Sequence, residues 1–262
     1  MKIYSLCSSS SGNCTYIEEN GDGILIDAGF GVRNTCNFLK KAKIDENNVR
    51  AIFITHEHTD HICGLKSLCK RWNVPVYGSR ATLEKLLEKD AVGAYTKLYE
   101  INLKIAEIGS LAVSAFHTPH DSADSLGFIV SNGNVNAGIC TDLGYMPTKI
   151  SKALENCNFV LLESNYDQAM LQAGNYPFQL KERIASNYGH LSNDDCAKQL
   201  KNLIKKGVER FLLGHLSVHN NFPELAYQNA VSYLSSFGMD INKDYQLEVA
   251  PVRNTNGKFI EL

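Results

Sequence analysis

The chain has 262 residues, is 44% hydrophobic and 21% charged, and carries a formal net charge of -2, with a pI near 6.4. That balance builds a substantial soluble core and excludes a disordered or fibrous chain, and no stretch approaches the roughly 20 apolar residues of a membrane span. A near-neutral charge does not announce a nucleic-acid binder, although a local basic groove is compatible with it.

Met1 to Cys7 is strand-like and lacks the apolar core of a signal peptide, which leads us to expect a cytoplasmic protein. The eight cysteines include no C-x-x-C pair and are scattered through apparent core elements. They read as reduced, buried thiols. Ser8 to Asn13 is a Ser/Gly loop between two strand-like stretches, able to offer hydroxyls and backbone N–H groups to a phosphate.

Further along, apolar alternation predicts strands at Ile24–Ile26, Ala51–Thr55, Val74–Tyr77, Leu111–Phe116, Leu126–Ser131, Val135–Cys140, Phe159–Leu162 and Arg210–Leu213. Interleaved with them are amphipathic helices at Val32–Ala42, Leu65–Trp72, Thr82–Lys89, Asn193–Lys206 and Pro223–Ser236. Ser192 with Asp195 forms a capping-box pattern for the helix from Asn193, and Gly207 stops it. No linker, charge block or tandem repeat divides the sequence, so residues 1–262 are expected to form one α/β domain.

Strand ends repeatedly carry His or Asp, and loops at strand ends are where sites gather. The densest instance is Thr55-His56-Glu57-His58-Thr59-Asp60-His61, directly after a β-rich run. His56 and His58 alternate like residues leaving a strand, so both can face one ion; Asp60 and His61 can reach a second. Imidazole and carboxylate together suit Zn, Mn or Fe, and the absence of thiolate argues against a closed structural zinc site. The remaining histidines are His117 and His120 after a strand, His190 before a helix, His215 at a strand end, and His219, which has no evident role. Asp27 and Asp142 also stand at strand ends.

This order resembles the metallo-β-lactamase superfamily across nearly the whole chain. The finer resemblance is to its YycJ/WalJ-like subfamily, carried by Ser8-Ser9-Ser10-Ser11-Gly12-Asn13, Thr118-Pro119-His120-Asp121-Ser122, Thr141-Asp142-Leu143-Gly144-Tyr145, Glu163-Ser164-Asn165-Tyr166-Asp167, Gly189-His190-Leu191-Ser192-Asn193 and Gly214-His215-Leu216-Ser217. The resemblance implies an αββα sandwich with one or two metal ions at one edge. It implies His56, His58 and His120 on one ion, Asp60, His61 and His215 on the other, and Asp142 between them. His120 is preferred to His117 because it lies in the matching fragment. Asp27 is expected to accept a hydrogen bond that orients the ligand loop.

Similarity to the ribonuclease Z branch implies a further pair. There a His delivers a proton to the leaving oxygen while a Glu orients and charges it, and His190 and Glu163 resemble them. Asp60, Glu163 and His190 are therefore the expected catalytic residues. Two divalent ions, Zn or Mn, would hold a hydroxide at neutral pH for attack in line with the leaving group. His58, where a carboxylate would lean towards a diiron redox site, fits hydrolysis. The subfamily implies a 5′–3′ exonuclease on duplex DNA linked to DNA repair. Lys40, Lys41 and Lys43, with Lys201, Lys205, Lys206 and Arg210, are candidates for backbone contact. A small-molecule hydrolase acting on a thioester, lactone or cyclic nucleotide is the competing expectation.

Overall fold

The computed structural model describes residues 1–102 and 104–262. Its first half builds β1 (Lys2–Ser9), β2 (Gly12–Glu19), β3 (Asp22–Ile26), α1 (Val32–Lys41), β4 (Val49–Phe53), α2 (Thr59–Ile62), α3 (Leu65–Trp72), β5 (Val76–Gly78), α4 (Arg80–Glu88) and β6 (Leu98–Glu100). The second half builds β7 (Ala106–Ile108), β8 (Leu111–His117), β9 (Leu126–Ser131), β10 (Asn136–Cys140), α5 (Thr148–Leu154), β11 (Phe159–Glu163), α6 (Gln168–Ala173), α7 (Phe178–Ile184), α8 (Asn193–Ile204), β12 (Arg210–Gly214), α9 (Pro223–Ser235), β13 (Gln246–Val249) and β14 (Ile260–Glu261).

Two seven-stranded sheets result, in the orders β14-β1-β2-β3-β4-β5-β6 and β13-β12-β11-β10-β9-β8-β7. Each is antiparallel along one half and parallel along the other: β3-β4-β5-β6 in the first sheet, β10-β11-β12-β13 in the second. The period of two explains the layering. On β3, Ile24 and Ile26 meet the facing sheet while Leu25 meets helices; on β11, Phe159 and Leu161 face inward while Val160 and Leu162 face out. Both faces are apolar because both are covered. Side chains of α1, α3 and α4 (Phe38, Leu39, Leu65, Leu68, Leu83, Leu86) cover the first sheet. Leu154 of α5, Leu200 and Leu203 of α8 and Leu234 of α9 cover the second. The outcome is the expected αββα sandwich.

Several expectations need correction. Ser8 and Ser9 belong to β1, and Gly12 and Asn13 to β2, so the Ser/Gly segment is a tight hairpin between paired strands rather than a free loop. Asp60 and His61 lie in the helical turn α2, whose first turn is closed by His61 N–H donating to the His58 carbonyl (2.9 Å). The strand before the motif ends at Phe53, so His56 and His58 stand in the connection after it.

This connection packs tightly against the hairpin. Gly29 follows β3 where the backbone of Asp60 passes directly over it, and a Cβ there would collide with the Asp60 carbonyl and crowd the Asn13 amide. Ala28 N–H donates to the His61 carbonyl (2.8 Å) and Gly29 N–H to the Asn13 carbonyl (2.8 Å), which hold the approach. Gly29→Ala is therefore expected to destabilise the fold by about 1–3 kcal/mol, the range for overpacking, as a lowered midpoint in thermal or urea unfolding. An unchanged midpoint would refute this.

Candidate active site

Both sheets end at one rim. Asp27 follows β3, His56 to His61 follow β4, His117 and His120 stand at and after the end of β8, Asp142 follows β10, Glu163 ends β11, and His215 follows β12. Three of these hold left-handed backbone: Asp27 (φ 62°), Asp142 (φ 58°) and His215 (φ 53°). Asp and His enter that region more readily than most residues, at a cost of order 1–3 kcal/mol each, and such strain gathers at functional sites.

The donor atoms converge. His56, His58 and His120 form one group; His56, His61 and Asp142 a second; Asp60, His61 and His215 a third; and Asp142, Glu163, His190 and His215 a fourth. Within each group one ligand atom per residue lies within 4.8 Å of the others. His120 Nε2 stands 3.3 Å from His58 Nδ1. Asp60 Oδ2 is 3.3 Å from both His61 Nε2 and His215 Nε2. Asp142 faces both sides, with Oδ2 3.4 Å from His61 Nε2 and Oδ1 3.8 Å from His120 Nε2. His117 is not among them. It is exposed, and its Nδ1 pairs with Asp124 (2.7 Å). His219 is outside too, edge-on to the Tyr176 ring.

Neighbours fix the orientation of each ring. Asp27 accepts from Thr55 N–H (2.8 Å), Thr55 Oγ1 (3.0 Å) and His61 Nδ1 (2.8 Å). A carboxylate only accepts, so His61 donates from Nδ1 and turns Nε2 towards Asp60 and Asp142. His120 Nδ1 donates to the Gly189 carbonyl (3.1 Å), and His56 Nδ1 lies 3.0 Å from Thr55 Oγ1. Glu163 is wholly buried, and its Oε2 accepts from the N–H groups of Leu143 (3.0 Å) and Leu191 (3.2 Å). Its Oε1 accepts from His190 Nδ1 (2.8 Å) and His215 Nδ1 (2.7 Å).

The electrostatics ask for cations. Burial opposes ionisation of Asp60, but His61 and His215 outweigh it and hold the carboxyl well below its ordinary range. Burial likewise opposes charge on Glu163 and is outweighed by His190 and His215. The His61 imidazole, disfavoured as a cation by burial, is still driven well above its ordinary value by Asp142, Asp27 and Asp60. By contrast, His56 is driven well below its ordinary value by burial and by the neighbouring imidazoles, so it stays a neutral donor. Among the buried atoms without a hydrogen-bond partner are two of the converging donors, His56 Nε2 and Asp142 Oδ2. Unsatisfied buried polar atoms are costly, and both are good metal donors aimed into the cluster. The residues present fit divalent metal.

Sequence reasoning missed the supports. Asn13 Nδ2 lies 3.3 Å from Asp60 Oδ2 and 3.1 Å from His61 Nε2, and Ser8 Oγ accepts from His215 N–H (2.8 Å). Those two hairpin residues are thus spent on the ligand loops; of that hairpin, Ser10 lines the pocket. Glu57, buried between the two histidines of the motif, accepts from Ala123 N–H (2.9 Å) and ties the first loop to the one bearing His120. Thr55 and Asn165 act similarly, Asn165 donating to the His215 carbonyl (2.8 Å). These residues lie within motifs quoted from the sequence, but no spacing signals their contacts with the donors. The lysine candidates do not reach the pocket. Arg210 begins β12 whereas His215 follows its end, Lys206 pairs with Glu155 (2.6 Å), and Lys201 lies over the Phe237 ring.

The pocket above the cluster is about 210 Å³ and open to solvent, with Asp60, Asp142, His58, His190 and His215 among its walls. Comparison with known proteins agrees with this architecture. The Beta-lactamase superfamily domain matches residues 23–216. The chain is 30% identical over 245 residues to the Bacillus anthracis protein named exodeoxyribonuclease YycJ, covering 92% of each. It is 29% identical over 246 residues to exodeoxyribonuclease WalJ of Streptococcus pneumoniae, covering 92% of this chain and 91% of that one. Among solved structures, Zn(2+)-bound PqqB from Methylobacterium extorquens superposes with a TM-score of 0.75 at 15% identity, over 100% of both chains. With the sandwich, the converging donors and these relatives together, the chain belongs to the metallo-β-lactamase superfamily, in its YycJ/WalJ-like branch, and is a metal-dependent hydrolase.

Proposed function

We propose that residues 1–262 form one domain that holds two divalent ions, Zn or Mn, and hydrolyses nucleic-acid phosphodiesters, acting as a 5′–3′ exonuclease on duplex DNA in cytoplasmic DNA repair. In this reading His56, His58 and His120 bind one ion, Asp60, His61 and His215 the other, and Asp142 bridges. Among the described residues, no helix is long and apolar enough to cross a membrane. The relatives named as exodeoxyribonucleases support the substrate class.

The observation that carries the reading is the Glu163–His190 pair beside the metal donors. Ions held there would polarise phosphate oxygens and make a water acidic enough to act as nucleophile near neutral pH. The chain's own residues do the rest. Glu163 accepts from Nδ1 of His190, which fixes the ring so that Nε2 is the nitrogen left to deliver a proton. That nitrogen has no hydrogen-bond partner among the described residues, and His190 is a wall of the pocket. As the attacking water oxygen bonds to phosphorus and the P–O bond to the leaving group breaks, Nε2 gives its proton to the departing alkoxide. His190 is left neutral, still held by Glu163. Asp60, between His61 and His215, stays ionised to take up the proton of the attacking water.

Such a pair has little to do for an activated ester and much to do for an alkoxide leaving group. That favours phosphodiesters over the thioesters of the competing reading, whose thiolate leaves without a proton; a lactone or a cyclic nucleotide would also release an alkoxide, and the substrate panel separates the lactone. The test is a substrate panel of labelled duplex DNA, single-stranded DNA, RNA, a thioester and a lactone, with metal-loaded protein at several salt concentrations. Duplex cutting from the 5′ end is expected, with log KM rising against log salt by about 0.9 per phosphate contacted. Intact nucleic acids beside a hydrolysed thioester or lactone would replace this reading with the small-molecule one.

A further inference from the structure

The helix α7 forms one wall of the pocket. Leu180, Arg183 and Ile184 stand at i, i+3 and i+4, the spacing that places side chains on one helical face, and all three line the cavity above the metal donors. Among the described residues, Arg183 is the only lysine or arginine on that cavity. Around it are the carboxylates of Asp60 and Asp142, whose charge is taken up by the ions of the proposed function. Among the described residues, an anionic substrate therefore meets in Arg183 the one permanently charged side-chain cation of that cavity.

That cation is held in place. Arg183 Nε pairs with Asp121 Oδ2, and Nη2 donates to Asp121 Oδ1 (3.0 Å), a two-bond fork that fixes the plane of the guanidinium. Asp121 is itself pinned, its N–H donating to the Tyr188 carbonyl (3.0 Å), and it directly follows His120 in the chain. Nη1 carries no hydrogen bond among the described residues, and half of the Arg183 side chain is exposed. Two donors are thus spent on holding the fork still, while the remaining edge stays available to a ligand from solvent. An arginine needed only to fasten α7 to the loop after His120 would have no need to line the cavity as well.

We propose that Arg183 is a substrate-binding residue that grips a phosphate next to the scissile one, with Asp121 as the positioning residue that aims it. This rests on the phosphodiesterase reading and adds its substrate requirement, a chain with at least two phosphates. Guanidinium suits the task because it presents paired donors to phosphate oxygens and stays charged at every working pH. The preference follows from geometry: the scissile group sits among the metal donors, and α7 flanks the cavity beside them.

The experiment compares three substrates on metal-loaded protein: bis-nitrophenyl phosphate, the single-phosphate dinucleotide TpT, and an oligonucleotide duplex. Arg183→Ala is expected to raise KM on the duplex about 10–100-fold, the weight of a charge-assisted hydrogen bond, with kcat changed less than about threefold. It should leave TpT and bis-nitrophenyl phosphate nearly unchanged and reduce the salt slope on duplex by about 0.9, one phosphate contact. Arg183→Lys should recover part of the KM, and Asp121→Asn should raise KM in the same direction by a smaller factor. Metal content and the unfolding midpoint are measured on each variant. Losses of equal size on all three substrates, or a KM that does not move on duplex, would overturn the assignment of Arg183. Wild-type protein that hydrolyses bis-nitrophenyl phosphate but no nucleic acid would instead remove the nucleic-acid reading, and this inference with it.

Discussion

Asp142→Asn is expected to lower the metal content of the purified protein from about two ions per chain towards one, and to cut hydrolysis by at least about 100-fold. Loss of a residue that merely supports a ligand typically costs 10–100-fold, so loss of the proposed bridging carboxylate should cost no less. The choice of asparagine matters. Asp142 has φ 58°, a conformation that asparagine tolerates well and alanine does not, so the backbone keeps its path. The substitution removes one negative charge and one ligating oxygen from a carboxylate whose Oδ2 has no protein partner. Elemental analysis beside turnover of bis-nitrophenyl phosphate measures both effects. Two ions per chain with undiminished turnover would exclude Asp142 as the bridge.

His190→Ala separates metal binding from proton delivery. Turnover on duplex DNA should fall by about 10²–10⁴, the usual weight of a positioned general acid, while metal content is retained. Glu163 keeps its contacts with Leu143, Leu191 and His215 in this variant, so the carboxylate stays anchored. The loss should shrink on bis-nitrophenyl phosphate, because nitrophenolate departs without a proton. A deficit of the same size on both substrates would mean that His190 holds the site together rather than protonating the leaving group.

Much of this was legible in the sequence because the information is local. Period-two apolar runs marked the strands flanking the site, and Ser192 with Asp195 marked the start of α8, where Ser192 Oγ does accept from Asp195 N–H (3.1 Å). The donor residues were visible because they crowd into His56 to His61 or stand just past apolar runs. What stayed hidden depends on contacts between distant segments. Helices α2, α5, α6 and α7 have only four to seven residues, too few for an apolar period to declare itself. Asn13 meets Asp60 across 47 positions and Arg183 meets Asp121 across 62, and no spacing in the sequence announces either pairing. The lysine-rich ends of α1 and α8 offered the opposite lesson. Charge runs are plain in a sequence, but whether they face the site is decided by the fold.

The left-handed residues at the strand ends carry a consequence for how this molecule tolerates change. At Asp142 the chain bears a strained backbone, a buried negative charge and an unpartnered oxygen at once. Each is a burden on the metal-free fold, and each is one that the proposed ions would offset. A glycine at that position would relieve all three, at an entropic cost of only about 0.5–1 kcal/mol. Selection for stability alone would therefore drift away from aspartate here, and variants enriched for heat resistance in a library should be depleted in activity. The rim is where folding and hydrolysis make opposite demands on the same residues.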